Sequence, residues 1–173
     1  MITCLPKSGN REDMKNWRPI TLLNVDYKIL SGALSHRLRE ILKEIVSAEQ
    51  KGFLSERYIG ENTRLVYDIM HYLQERNQKG LIMLIDFEKA FDSLEWAFIE
   101  KVISAYGFGE EFKKWCKVLY QDSKSCVING GHFSSFFSLE RGCRQGDPLS
   151  PYIFILAAEP LAMAMKNSKS IKG

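Results

Sequence analysis

Apolar residues recur at helical spacing over two early stretches of the chain. Leu30, Leu34, Leu38, Ile41 and Ile45 form one stripe, and Asp26 stands where it can cap the helix they imply. Leu65, Ile69 and Leu73, backed by Val66 and Met70, form a second stripe that stops near Gly80. The period then changes. Leu81-Ile82-Met83-Leu84-Ile85 is apolar at every position between Gly80 and Asp86, which predicts a central strand buried on both faces. Asp92, with Glu95 three residues on, predicts the start of a helix carrying Phe98, Ile99, Val102 and Ile103. Gly107 and Gly109 interrupt it, and Phe112, Trp115, Cys116 and Leu119 continue as a further helix.

Shorter signals complete the pattern. Residues 2–6 read as extended, Ser8-Gly9-Asn10 as a turn, and Trp17 to Ile20 as extended again, because Pro19 moves Arg18 out of the helical region. Cys126 to Ile128, Asn129-Gly130-Gly131 and Phe133 to Leu139 predict a β-hairpin. Ser150 as N-cap and Pro151 as first residue predict a closing helix that starts apolar all round and is kinked or ended by Pro160. No repeat, low-complexity tract or linker divides the chain, so the fold class expected is α+β in one continuous unit.

Composition narrows the function classes. Of 173 residues, 45% are hydrophobic and 26% charged, which excludes a disordered chain or a coiled coil. The longest apolar runs fall far short of the ~20 residues of a membrane span, and no apolar segment opens the chain as a secretory signal. An intracellular protein, nuclear or cytoplasmic, is expected. Cys4, Cys116, Cys126 and Cys143 form no C-x-x-C pair and the three histidines are scattered, so neither zinc nor a disulfide framework is implied. A net charge of +3 permits nucleic-acid binding without arguing for it.

Four places could carry chemistry. Asp86 ends the apolar run, where its carboxylate is either a metal ligand or a cap for the next turn; Asp92 reads as a helix cap. Arg141-Gly142-Cys143-Arg144-Gln145-Gly146-Asp147 leads into a helix N-terminus, a weak nucleotide-binding signal that an ordinary loop also satisfies. Lys7 and Arg18 could meet on one face of a hairpin and grip a polyphosphate, or stand as two solvated cations. Gln50-Lys51-Gly52-Phe53 offers an aromatic for base stacking or for packing.

The order of these places is more telling than any one of them. Leu5-Pro6-Lys7 with Asn16 to Ile20, then Gln50-x-Gly52-Phe53, then Ile85 to Asp92, then Arg144 to Pro151 resembles the reverse transcriptases of LINE-type, non-long-terminal-repeat retrotransposons. The resemblance covers essentially the whole chain, including Tyr27 to Leu30 and the closing Ile171-Lys172-Gly173. A group II intron maturase shares these blocks, but Asn16 to Ile20 and Asp86 to Trp96 look more LINE-like.

That resemblance implies a right-hand polymerase, with fingers over about residues 1–78 and a partial palm over about 79–173. It implies RNA-directed DNA synthesis on an RNA template and DNA primer from deoxynucleoside triphosphates, with two Mg²⁺ ions about 3.5–4 Å apart. Asp86 matches the family's first metal-binding aspartate, and Phe87 offers its backbone carbonyl to the same ion. Lys89, Ala90 and Phe91 match the triphosphate cradle, Phe91 lying under the sugar. Lys7 and Arg18 match fingers cations on the triphosphate, and Gln145 and Gly146 the loop against the nascent base pair. Gln50, Gly52 and Phe53 match the template-contacting block, while Arg141 and Arg144 could meet template phosphates. The family's Tyr-x-Asp-Asp element has no counterpart, since no Asp-Asp pair occurs in these residues. The expectation is a domain truncated before the second metal-binding hairpin and thumb, its metal site and sheet incomplete, and inactive in polymerisation alone. The alternative is a non-catalytic RNA-binding remnant that kept the template-gripping blocks.

Overall fold

The structure, a computed structural model, describes residues 1–170; Ile171 to Gly173, part of the resemblance, lie outside them. In chain order the first elements are β1 (Ile2–Pro6), a 3-10 turn (Met14–Asn16), β2 (Trp17–Thr21), α1 (Val25–Ile45) and α2 (Gly60–Glu75). There follow α3 (Ala90–Ser93), α4 (Trp96–Ala105), α5 (Glu110–Tyr120), β3 (Lys124–Ser125), β4 (Val127–Asn129), β5 (His132–Phe133), β6 (Phe137–Ser138) and α6 (Ser150–Lys166).

β1 and β2 form an antiparallel hairpin in which Leu5 faces Arg18 and Pro6 faces Trp17. Its connection is fastened by the side chains of Asn16 and Trp17, which donate to the carbonyls of Asn10 and Arg11, each at 2.8 Å. β4 adds to β1 in parallel and β5 closes the sheet, in the order β2-β1-β4-β5. Pro19 therefore sits on an edge strand, where a missing N–H leaves no ladder bond broken. Between β4 and β5, Gly130 and Gly131 take φ of +56° and +81°, as a two-residue hairpin turn of the primed type requires. The hairpin expected here is present, in shorter strands; Phe137 and Ser138 pair instead with β3 in a second, two-stranded sheet.

The core lies among four helices. Leu34, Leu38 and Leu42 of α1, Ile99, Val102 and Ile103 of α4, and Cys116, Leu119 and Tyr120 of α5 bury against Ile153, Ile155 and Leu156 of α6. A helix surrounded by partners can be apolar all round, as the start of α6 is. The cysteines are free thiols, three of them buried. Burial pushes the Cys116 and Cys143 thiols up to about 12, so both stay protonated and pack as small apolar groups. Gly107, at φ +75°, ends α4 where the sequence places a break.

Four expectations change. Helix α1 starts after Asn24, so Asp26 lies in its first turn rather than at the cap. Asp92 falls inside α3, and α4 starts four residues later after Glu95. At α6 the cap residue is Leu149 and Ser150 opens the helix; of the two effects expected of Pro160, kink or end, the end does not occur, since the helix continues to Lys166. The side chain of Asp147 does the capping work, accepting the Leu149 N–H and the Ser150 hydroxyl, both at 3.2 Å.

The largest change concerns the apolar run. Leu81 to Ile85 forms no strand, and Leu81 and Leu84 are 92% and 89% exposed. Five consecutive apolar residues express a demand for burial on both faces without naming the partner. A strand exists only beside another strand, and no described strand lies beside this segment. α2 shares the condition: Leu65, Val66, Ile69 and Met70 are exposed, and none of its residues is buried. Changing Leu81 and Leu84 together to Lys is expected to alter the unfolding free energy by no more than about 0.5 kcal/mol while reducing the binding of a hydrophobic dye. A loss of several kcal/mol in a denaturant titration would mean that the run is buried.

Candidate functional site

The segment 141–147 is wedged between two other parts of the chain. On one side the Gly142 N–H donates to the Leu94 carbonyl at 2.8 Å and the Cys143 N–H to the Phe91 carbonyl at 2.6 Å. Trp96 returns a bond from its indole N–H to the Gly142 carbonyl at 3.0 Å. On the other side the Thr21 N–H, at the end of β2, donates to the Gln145 carbonyl at 2.9 Å. Both glycines of the segment are required by the approach. A Cβ on Gly142, at φ +91°, would lie 3.0 Å from the Asp92 carbonyl oxygen; one on Gly146, at φ +101°, would lie 3.2 Å from that of Thr21.

Arg144 secures the segment from beneath. Its guanidinium donates to the Tyr27 hydroxyl, to the Leu119 carbonyl at 2.7 Å and to the Ser123 hydroxyl at 2.6 Å. It also lies over the Tyr27 and Tyr120 rings, 4.7 and 5.6 Å from their centroids. The Tyr27 hydroxyl donates in turn to Asp147 at 3.3 Å, and burial, with the Asp147 carboxylate, holds its proton well above the ordinary phenol range. Arg144 thus ties α1 and the end of α5 to the loop that leads into α6. Arg141, three residues earlier, is exposed.

The Gln145 side chain reaches the Asp92 carboxylate, its Nε2 donating at 3.2 and 3.3 Å to the two oxygens. Phe91 is half-buried, its ring 5.2 Å from that of Phe154 on α6; Phe87 meets the same ring edge-on at 6.1 Å. Lys89 takes the left-handed conformation, φ +51°, just before α3, with Ala90 half-buried behind it. Phe91 and Asp92, the 142–146 segment and the end of β2 therefore meet. Lys7 and Arg18 are set diagonally on one face of the hairpin by its register, and both are exposed; Lys7, opposite Asn16, lies toward the end of the hairpin away from Thr21.

Gln50, Gly52 and Phe53 stand in a loop after α1. Gln50 Oε1 accepts the Gly52 N–H at 3.0 Å, and the Phe53 ring is exposed. Arg57 holds the loop, donating to the carbonyls of Lys43, Val46, Ser47 and Gln50 at 2.6–3.2 Å. Arg57, the Tyr27 hydroxyl and the Asp92–Gln145 pair carry no signal of their own in the sequence, because residue spacing does not show which carbonyls and side chains a folded chain brings together.

Asp86 is exposed and makes no hydrogen bond or ion pair among the described residues. A magnesium ion wants about six hard oxygens. The Asp86 carboxylate and Phe87 carbonyl offer two kinds, and no group of three His, Cys, Asp or Glu side chains suited to a metal exists among the described residues. These residues do not by themselves fit a two-ion site.

The profile of a family described as reverse transcriptase (RNA-dependent DNA polymerase) matches residues 5–172. The chain is 32% identical over 167 residues to the transposon TX1 uncharacterized 149 kDa protein of Xenopus laevis, covering 96% of this chain and 13% of that protein. It is 26% identical over 172 residues to a retrovirus-related Pol polyprotein from type-1 retrotransposable element R2 of Popillia japonica, covering 99% of this chain and 24% of the relative. A third, the corresponding polyprotein from type-2 element R2DM of Drosophila melanogaster, is 28% identical over 168 residues, 97% of this chain and 16% of its own. The chain thus spans less than a quarter of the length of each of these curated relatives. None of its described helices is long and apolar enough to cross a membrane.

Gly142→Ala and Gly146→Ala should each cost about 1–3 kcal/mol in a chemical denaturation titration, from left-handed strain plus the close carbonyl. Gly52→Ala, whose Cβ would meet only Gln50 Oε1 at 3.5 Å, should be tolerated. Equal effects at all three would mean that segment 141–147 is not wedged.

Proposed function

Because this chain belongs to the reverse transcriptase (RNA-dependent DNA polymerase) family and its relatives are proteins of non-long-terminal-repeat retrotransposons, we propose that it is the fingers and first part of the palm of such an enzyme. It would hold an RNA template, a DNA primer and an incoming deoxynucleoside triphosphate. The observation that supports this most is the meeting of Phe91 and Asp92, the 142–146 segment and the β2 end around one place.

Each residue's part follows from its chemistry. Lys7 and Arg18, a diagonal pair of solvated cations, neutralise the triphosphate as pyrophosphate leaves. Lys89 and Ala90 lie along the same phosphates. Phe91, propped on Phe154, presents a ring beneath the sugar and disfavours a 2′ hydroxyl. Gln145 and Gly146 lie against the nascent base pair, with Asp92 aligning the Gln145 amide. Arg141 meets template phosphate, while Arg144 has its charge spent on the fold and acts by fixing the loop. Gln50, Gly52 and Phe53 contact the template. Asp86 and the Phe87 carbonyl would be two of the oxygens that hold a magnesium ion in this reading.

A second reading, a nucleic-acid-binding remnant without catalysis, draws on the sparse donor set around Asp86. The two part on Asp86. Binding of an RNA/DNA primer–template should weaken with salt, and Arg141→Ala should reduce the log–log salt slope by about one. Lys7→Ala with Arg18→Ala should weaken deoxynucleotide binding and leave that slope alone. Asp86→Asn should abolish any magnesium dependence of nucleotide binding under the polymerase reading and change nothing under the remnant reading. Duplex binding indifferent to salt would sink both.

A further inference from the structure

Between α4 and α5 runs a groove of about 530 Å³, a volume within the range of small-molecule sites. Its floor is Trp96, Ile99 and Ile103 of α4 with Cys116 and Tyr120 of α5. Trp96 is half-buried and the other four are buried. Helical spacing puts 96, 99 and 103 on one side of α4, and 116 and 120 on one side of α5.

The polar atoms of this floor are engaged elsewhere. The Trp96 indole N–H donates to the Gly142 carbonyl at 3.0 Å, and the Tyr120 hydroxyl donates to Cys143 Sγ at 3.7 Å. The floor therefore offers carbon, sulfur and two aromatic rings, whose centroids lie 5.9 Å apart with the planes tilted by 33°. A flat apolar body suits such a surface.

Charge is confined to the walls. Lys113, Lys114 and Lys117 follow one another along α5. Lys113 is paired with Glu110 at 2.9 Å, whereas Lys114 and Lys117 are exposed and make no ion pair among the described residues. The α4 wall carries Glu100, which makes no ion pair among them either, and Asp122 lies at the α5 end. One acidic group is thus accommodated on the α5 wall, and a second would meet the Glu100 carboxylate.

We propose that the α4–α5 groove is a binding site for a small organic monoanion with an aromatic body, its rings on the Trp96-to-Tyr120 floor and its acid group against Lys114 and Lys117. The site uses none of the residues assigned above to nucleic acid and does not rest on that assignment. It is joined to segment 141–147 through its floor. Trp96 holds the Gly142 carbonyl, and the Arg144 guanidinium lies 5.6 Å from the centroid of the Tyr120 ring. A ring bound on Trp96 and Tyr120 opposes local opening of that segment.

The test titrates the 173-residue chain with 8-anilinonaphthalene-1-sulfonate and with the uncharged sulfonamide of the same skeleton. The sulfonate should bind about fivefold more tightly. Lys114→Gln with Lys117→Gln should remove that preference and leave sulfonamide binding unchanged. Ser104→Trp, which fills the groove from an exposed lining position, should weaken both probes roughly tenfold. None of these three side chains is buried, so the fold is retained. With the sulfonate at about ten times its Kd, hydrogen exchange should slow about tenfold in α4, α5 and the Gly142 and Cys143 amides. Equal affinity for the two probes, a preference that survives the lysine variant, or indifference to Ser104→Trp would overturn the proposal. Protection confined to residues 81–85 would place the probe on the exposed apolar run and overturn it as well. None of these results bears on nucleic-acid binding.

Discussion

The backbone of residues 141–147 has to pass between the Phe91–Leu94 turn and the end of β2, and much of the arrangement depends on that passage. Two glycines make it possible sterically, since each lies where a Cβ would press on a carbonyl oxygen. Arg144 makes it rigid. A half-buried guanidinium is costly unless its donors are met, and here a hydroxyl from α1, a carbonyl from α5 and the Ser123 hydroxyl meet them. Hydrogen bonds to a charged donor are each worth about 1.5–3 kcal/mol. One side chain therefore locks two helices and the loop into a single geometry. Cys143 and Asp147 extend the lock, one by filling core space and the other by capping α6.

The basic residues divide into two kinds of work. Arg57 and Arg144 point their guanidinium groups at the chain's own carbonyls and hydroxyls, a task for which a planar fork of donors is suited and an ammonium is not. Lys7, Arg18 and Arg141 remain in solvent, where a phosphate could reach them. The small positive net charge conceals this partition. What matters to a polyanion is which cations are left free, and the fold decides that by satisfying the others internally.

The chain is unevenly consolidated. α1, α4, α5 and α6 share a core with fully buried leucines and isoleucines, whereas α2 and the apolar run after it leave large side chains in water. That apolar stretch is the least supported part of the described chain. It adjoins the residue expected to bind metal, Asp86, so the part of the molecule with the weakest internal support is also the part from which that carboxylate projects.

Helical periodicity determined α1, α2, α4 and α5 from the residues alone, because a 3.6-residue stripe is a local property that any apolar partner satisfies. The Gly130-Gly131 turn and the extended Trp17-to-Ile20 segment were equally local, set by glycine and proline sterics. The blocks around Lys7, Asp86 and Gln145 were legible too, through their order along the chain. Tertiary structure decided the rest. Whether Leu81 to Ile85 becomes a strand depends on a neighbouring ladder, and apolar character does not supply one. Which arginine is free and which is consumed depends on carbonyls that only the packed helices bring near. Asp92 and Gln145 are 53 residues apart, and their bond exists because two glycines let the loop descend onto α3. A residue's identity states what it can bond; the surrounding fold selects which of those bonds forms.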